Sequence, residues 1–140
     1  MLKFNPYLSF DGQCEQAFRL YEQCLGGKIS FMMKYGDSPM AEQTPPEFHK
    51  RIMHVTLTVG DQILQGADAP PGGYKEPQGF SVSINLNDAV EAERIFKALE
   101  GNGTVQMPLQ ETFWALRFGM VMDRFGTPWI VNCGKTSVDE

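Results

Sequence analysis

Three side chains in this sequence have the acid–base character that general catalysis uses: Asp68, Glu111 and His54. A general base must lie within hydrogen-bond reach of the proton it takes. Asp68 follows the strand-like run QILQGA at 62–67, near the mouth of a groove argued below. Glu111 precedes Thr112-Phe113-Trp114 in a loop from which it can face a ligand. His54 shares a strand face with Thr56 and Thr58. The catalytic residue, if there is one, stays open among these three. Asp123 has a simpler reading. In DRFG, residues 123–126, an acid at the first turn position and Gly at the fourth describe a tight turn whose Asp side chain accepts a backbone N–H.

Metal chemistry is not expected. His49 and His54 are the two histidines, five residues apart and on opposite strand parities. A transition-metal site needs three or four His, Cys or carboxylate ligands. No GxSxG, HExxH or P-loop pattern occurs. The GNG at 101–103 follows a helix rather than a strand, so it stops that helix and holds no dinucleotide or S-adenosylmethionine. No cofactor is expected.

The totals narrow the class. At 140 residues with 42% hydrophobic and 21% charged residues, the chain suits one globular domain, or two small modules sharing a core. A net charge of −5 argues against nucleic acid as a partner, which calls for a basic face. No apolar run approaches the ~18 residues of a membrane helix. MLKFNPYLSF lacks a basic region followed by a long apolar stretch, so no signal peptide is expected. Cys14 and Cys24 share one predicted helix, about 15 Å apart at ~1.5 Å per residue, beyond the ~7 Å limit of a disulfide. Free thiols and a cytoplasmic location are the expectation.

The elements that position these residues repeat. LKFNPYLSF at 2–10 alternates, with Leu2, Phe4, Leu8 and Phe10 on one parity and Asn5, Tyr7 and Ser9 on the other. Ala17, Leu20, Tyr21, Cys24 and Leu25 give a helix over 13–25, stopped by Gly26-Gly27. Strands follow at 28–35, 51–59 and 62–67. The order then recurs: a strand at 79–87, a helix opened by Asp88 and Glu91 in capping-box spacing, a strand from Val105, and a hairpin of 116–122 and 127–133. Pro128 removes a ladder donor and is expected at an edge or bulge. The fold class is α+β, two βαβββ modules. Module one spans about 2–68 and module two about 79–134, joined by a Gly- and Pro-rich linker at about 69–78. Residues 36–48 show no periodicity and are expected to be mobile.

Strand parity locates a pocket. The faces turned from the helices carry Asn5, Tyr7 and Ser9 in one module and Ser81, Ser83 and Asn85 in the other. Small neutral polar residues suit a sheltered concave surface that holds a ligand. Gln65 joins it from the fourth strand, Ile130 from the last, and Trp114 roofs it.

YLSFDGQCEQAFRLYEQCLGG at 7–27 and MPLQETFWALRFGMVMDRFGTPWIVN at 107–132 resemble the PhnB-like family. That family is a branch of the vicinal oxygen chelate superfamily, which includes glyoxalase I, bleomycin-resistance proteins and extradiol dioxygenases. The resemblance implies an incomplete curled barrel around a cleft, and a homodimer. It also assigns the superfamily's metal-ligand positions to Asn5, Gln65, Ser81 and Ile130, a set too poor in donors to carry over chelate chemistry. Members are often labelled ubiquinone-pathway methyltransferases. The expected function is binding of a small, partly apolar molecule in the cleft without a tightly held metal. The alternative is a vicinal oxygen chelate-type enzyme with metal-independent or atypical metal chemistry.

Overall fold

The computed structural model describes residues 1–135. The chain divides into two compact units, Met1–Glu76 and Pro77–Glu140. The first unit runs β1 (Tyr7–Phe10), α1 (Cys14–Leu25), β2 (Lys28–Lys34), β3 (Ile52–Val59) and β4 (Gln62–Asp68). Its strands lie in the order β1-β4-β3-β2, with β1 parallel to β4 and the other pairs antiparallel. The second unit runs β5 (Val82–Leu86), α2 (Ala89–Glu100), β6 (Thr104–Gln110), β7 (Ala115–Met122) and β8 (Pro128–Gly134). Its sheet order is β5-β8-β7-β6, with β5 parallel to β8. Both units are therefore βαβββ modules, each with an unclosed mixed sheet and one helix.

In the first unit α1 buries Cys14, Ala17, Phe18, Tyr21 and Cys24, at the three- and four-residue steps of a helix stripe. Phe18 packs edge-on against Phe10 of β1 and against Tyr21, with ring centroids 6.0 and 5.4 Å away. A Cβ on Gly66 would stand 2.7 Å from the Phe18 ring, so glycine at this point of β4 lets the helix settle onto the sheet. Gly26 closes α1 in the left-handed conformation at φ 75°.

Asp68 is buried, 1% exposed. Its Oδ1 accepts the N–H groups of Gly12 at 2.7 Å and Cys14 at 3.1 Å, and its Oδ2 accepts that of Ile52 at 2.8 Å. One carboxylate thus caps α1, whose own N-cap, Gln13, makes no side-chain bond, and ties it to the start of β3. The Tyr35 hydroxyl donates to the Asp68 carbonyl at 2.8 Å.

Three expectations change. The alternation over residues 2–10 overextends the first strand. It begins at Tyr7, and Leu2 and Phe4 stand 81% and 91% exposed. The segment between β2 and β3 contains three short 3-10 helices, Tyr35–Asp37, Ala41–Gln43 and Pro46–Phe48. Side chains hold it, not periodic packing: Ser38 Oγ donates to the Tyr35 carbonyl, Thr44 Oγ1 to that of Met40, and His49 Nε2–H points at the carbonyls of Ala41 and Thr44. Pro128 opens β8, a central strand, where a missing donor at the first position costs no ladder bond.

In the second unit Asp88 caps α2, accepting the N–H groups of Val90 and Glu91. Ala92, Ile95, Phe96 and Leu99 face the sheet. The DRFG turn forms as expected, with Gly126 N–H bonded to the Asp123 carbonyl. Asp123 does more than close it. Oδ1 accepts Phe125 and Thr127 N–H, and Oδ2 accepts the indole N–H of buried Trp129 at 2.8 Å.

Two outcomes follow from this packing. Asp68→Asn replaces an acceptor oxygen by a donor facing a buried N–H. It is expected to lower unfolding free energy by about 3 kcal/mol, read as a lower urea midpoint, while Asp61→Asn on the exposed β3–β4 turn leaves the midpoint unchanged. Cys14, Cys24 and Cys133 are buried and form no disulfide. Burial first, then the charges of Asp68 and Glu15, pushes the Cys14 thiol well up, and burial does the same for Cys133. The thiolate is the reactive form, so an aromatic disulfide reagent at mildly alkaline pH is expected to label the native protein far more slowly than the urea-unfolded chain.

Candidate functional site

Each helix covers one face of its sheet, and the opposite face is where candidate chemistry collects. On the second sheet, Ser83 and Asn85 of β5 lie opposite Ile130 and Asn132 of β8, and Phe118 and Met120 of β7 lie opposite Asn132 and Ile130. The polar residues form a chain: Asn132 Nδ2 donates to Asn85 Oδ1 at 3.2 Å, and Asn85 Nδ2 to Ser83 Oγ at 3.3 Å. The Asn132 Oδ1 is buried and accepts no hydrogen bond. Beside this chain runs a groove of about 460 Å³, lined by Phe80, Ser81, Gln106, Met120, Met122 and Ile130 among others. Trp114, 48% exposed, meets Phe118 edge-on at 5.2 Å and Phe113 at 4.8 Å. The one Arg or Lys within these four strands, Arg117, turns to the helix and bonds Glu93 at 2.8 Å.

The first sheet's open face carries a different set. The Tyr7 hydroxyl lies 2.9 Å from His54 Nδ1, and His54 Nε2 lies 3.1 Å from Thr56 Oγ1. Phe31 flanks the imidazole, its ring centroid 5.8 Å away. Partial burial pushes the Tyr7 phenol upward, with smaller contributions from Cys14 and Tyr35. Ser30 and Thr58 hydroxyls bond each other at 3.1 Å.

The structure therefore gathers Ser81 and Ile130 on one groove, sets Ser83 opposite Ile130, and puts Trp114 beside Phe118 on the same sheet. Tyr7 and Gln65 are partners on the first sheet. Asn5 lies before β1 and is exposed, so the residue opposite Gln65 is Tyr7. The acids separate from these faces. Asp68 is buried, with the backbone N–H groups of Gly12, Cys14 and Ile52 on its oxygens, so it is held at the start of α1 and not on the open face where a base would meet a ligand. Glu111 is exposed, 3.9 Å from Lys135. The Tyr7–His54 pair was not foreseen. Each sits on the correct parity, but they meet across β4, and only the strand order brings them together. The orphaned Asn132 oxygen had no sequence signal, since it depends on which partner each amide finds.

A family model described as 3-demethylubiquinone-9 3-methyltransferase matches residues 2–132. Protein YjdN of Escherichia coli is 32% identical over 142 residues, spanning 96% of this chain and 97% of YjdN. Protein PA1353 of Pseudomonas aeruginosa is 46% identical, with TM-score 0.88 over 96% of this chain and 98% of that one. The fosfomycin resistance protein FosX of Mesorhizobium loti, 13% identical over 96% of this chain and 92% of its own, shares the fold at TM-score 0.59.

The cofactors these likenesses bring to mind do not fit the residues. A methyltransferase using S-adenosylmethionine needs a glycine-rich loop after a strand. Here Gly101 and Gly103 close α2, with Gly103 N–H on the Glu100 carbonyl, and lead into β6. The superfamily's metal positions offer the amides of Asn5 and Gln65, the Ser81 hydroxyl and the hydrocarbon of Ile130. The strand register substitutes Tyr7 and Ser83 as the residues opposite Gln65 and Ile130, which adds a phenol and a second hydroxyl. Neither set suits a transition metal, and no cluster of three His, Cys, Asp or Glu forms among the described residues. Matched from residue 2 to 132 and aligned nearly end to end with YjdN and PA1353, the chain belongs to the PhnB-like family bearing that methyltransferase description.

Proposed function

We propose that the open face of the second sheet binds a small, partly apolar, uncharged molecule, without a tightly held metal. The observation that carries this is the unpartnered, buried Oδ1 of Asn132, two residues along β8 from Ile130 in a groove that mixes hydrocarbon with the neutral polar side chains of Gln78, Ser81 and Gln106. A buried carbonyl oxygen left unbonded costs about 1–3 kcal/mol. A ligand N–H or O–H recovers that cost, while Phe80, Met120, Met122 and Ile130 take its apolar part. Ser81 and Ser83 supply further neutral hydrogen bonds, and Trp114 with Phe118 offers an aromatic wall. On its own open face the first sheet carries neutral polar groups too, Tyr7 and Gln65 as strand partners with Asn5 just ahead of β1.

Charge argues against a phosphonate or phosphate. Dianions are held by Arg or Lys forks, and the second sheet's one such residue is committed to Glu93. Among the described residues no helix is long and apolar enough to cross a membrane. A homodimer belongs to this reading: exposed Leu2 and Phe4, ahead of β1, are apolar side chains that a second copy would cover. Three buried cysteines that form no disulfide with one another favour a cytoplasmic location.

A thermal-shift comparison tests the binding reading. N-butylbenzamide, neutral and amphiphilic with one N–H donor, is expected to raise the melting temperature, since saturation at ~100 times the dissociation constant adds about 2.7 kcal/mol. Phenylphosphonate is expected to raise it little. Equal stabilisation by the phosphonate would defeat the neutral-ligand reading. Asn132→Leu removes the orphaned acceptor. It is expected to weaken N-butylbenzamide affinity about tenfold by calorimetry, the equivalent of one lost hydrogen bond, without lowering the melting temperature of the free protein.

A further inference from the structure

The second unit carries another groove, on the side of its sheet that α2 occupies. It runs between α2 and edge strand β6 and measures about 750 Å³. Its apolar lining is Phe96 from α2 with Val105, Pro108 and Leu109 from β6. The floor is tightly packed. A Cβ on Gly119 would stand 2.8 Å from the Phe96 ring and 2.9 Å from the Leu109 Cα, so the missing side chain lets α2, β7 and β6 close on one another. Val105 stays 37% exposed, and every residue of β6 except Leu109 is exposed, so this margin of the core is uncovered.

Glu93, Lys97 and Glu100 also line the groove, and their pairing is uneven. Glu93 accepts from Arg117 Nε at 2.8 Å. Lys97 has acids at two helix-neighbour positions, Glu93 four residues before it and Glu100 three after, the spacing at which ion pairs form on a helix. It pairs with neither: among the described residues, Lys97 and Glu100 make no ion pair. The end of α2 adds negative character. α1 closes on a left-handed glycine, whereas Gly101 ends α2 at φ −53° and ψ 114°. Carbonyls of a helix's last turn carry partial negative charge and favour a cation. An ammonium and a carboxylate therefore stand unpaired on one groove. Their residues are about 4.5 Å apart along the helix axis, at ~1.5 Å per residue.

We propose that the groove between α2 and β6 binds a free α-amino acid with a large apolar side chain. At neutral pH such a molecule carries a carboxylate and an ammonium on one carbon. The carboxylate meets Lys97, the ammonium meets Glu100 and the end of α2, and the side chain lies over Phe96, Val105 and Leu109. The lining selects both parts of this ligand. A plain hydrocarbon would strip water from Lys97 and Glu100 and replace none of it. A fatty acid would answer Lys97 and set a second carboxylate beside Glu100. A simple amine would answer Glu100 and set a second ammonium beside Lys97. The zwitterion answers both and brings no net charge. Exposed charge pairs are weak, so affinity in the millimolar range is expected. The site is on the opposite face of the sheet from Ile130 and Asn132 and is independent of the ligand proposed for them.

Methyl spectra of the full-length protein titrated with L-tryptophan test the proposal. The Val105 and Leu109 signals are expected to shift and saturate at millimolar ligand while that of Ile130 stays in place. Two analogues each remove one charge: N-acetyl-L-tryptophan lacks the ammonium and tryptamine lacks the carboxylate. Each is expected to bind severalfold more weakly than L-tryptophan. Lys97→Met and Glu100→Gln alter exposed side chains of α2 and are expected to leave the melting temperature unchanged. Lys97→Met is expected to weaken L-tryptophan severalfold and tryptamine not at all. Glu100→Gln is expected to weaken L-tryptophan severalfold and N-acetyl-L-tryptophan not at all. Asn132→Leu, on the other face, is expected to leave the titration intact. Any of five results overturns the proposal: no saturable shift at Val105 or Leu109, equal binding of either analogue, variants that weaken all three compounds alike, shifts confined to Ile130, or Val105 and Leu109 signals that move with protein concentration alone, the mark of a second copy on the groove.

Discussion

One helix can cover only one face of a four-stranded sheet. Strands spaced about 4.8 Å apart make a sheet wider than the ~10 Å of a helix, and the helix has one apolar stripe to spend. Each module of this chain has a single helix, so each sheet has one face closed by α1 or α2 and one face left open. Because side chains alternate along a strand, that division reaches down to single residues. Leu8 and Phe10 go under α1 while Tyr7 and Ser9 do not, and Trp129, Val131 and Cys133 go under α2 while Ile130 and Asn132 do not. The face that carries the proposed function stands on the residues that α2 leaves uncovered.

The closed faces are held by packing and by two buried carboxylates. Asp68 joins a helix start to two strand ends, and Asp123 joins a turn to the Trp129 indole. A buried charge is costly unless its lone pairs are used. Both carboxylates use both oxygens, each on three N–H donors. That is why an acid beside a groove in the sequence proved to belong to the scaffold. Acid character alone does not mark a base; a base must meet the ligand, and Asp68 is buried at the start of α1.

The module order, both helices, the helix stops and the DRFG turn were legible because each depends on local rules: periodicity of two or 3.6, αL glycine, and turn chemistry. What was misjudged depended on partners that periodicity does not reveal. Leu2 and Phe4 fit the alternation of β1, but β4 pairs with β1 only from Tyr7 onward, and a strand needs a neighbour. The segment at 36–48 has no period to detect, because Ser38, Thr44 and His49 order it through side-chain bonds to backbone carbonyls. Asn5 and Tyr7 share a parity, and only the register shows that Tyr7 is the one opposite Gln65. Likewise Tyr7 and His54 lie 47 residues apart on strands that are not neighbours in the sheet.

The two open faces solve the problem of standing uncovered in different ways. An exposed charge is cheap in water but expensive once a ligand displaces that water, unless the ligand supplies its counter-charge. The second sheet avoids the difficulty by turning Arg117 to the helix side and leaving amides, hydroxyls and hydrocarbon in place. Such a surface loses little on desolvation and gains from any partner that satisfies Asn132. The first sheet instead sets the Tyr7 hydroxyl against the His54 imidazole and carries Lys28 at one end, opposite Thr58. A ligand that displaces water there has to satisfy those polar groups as well as cover the aromatic rings.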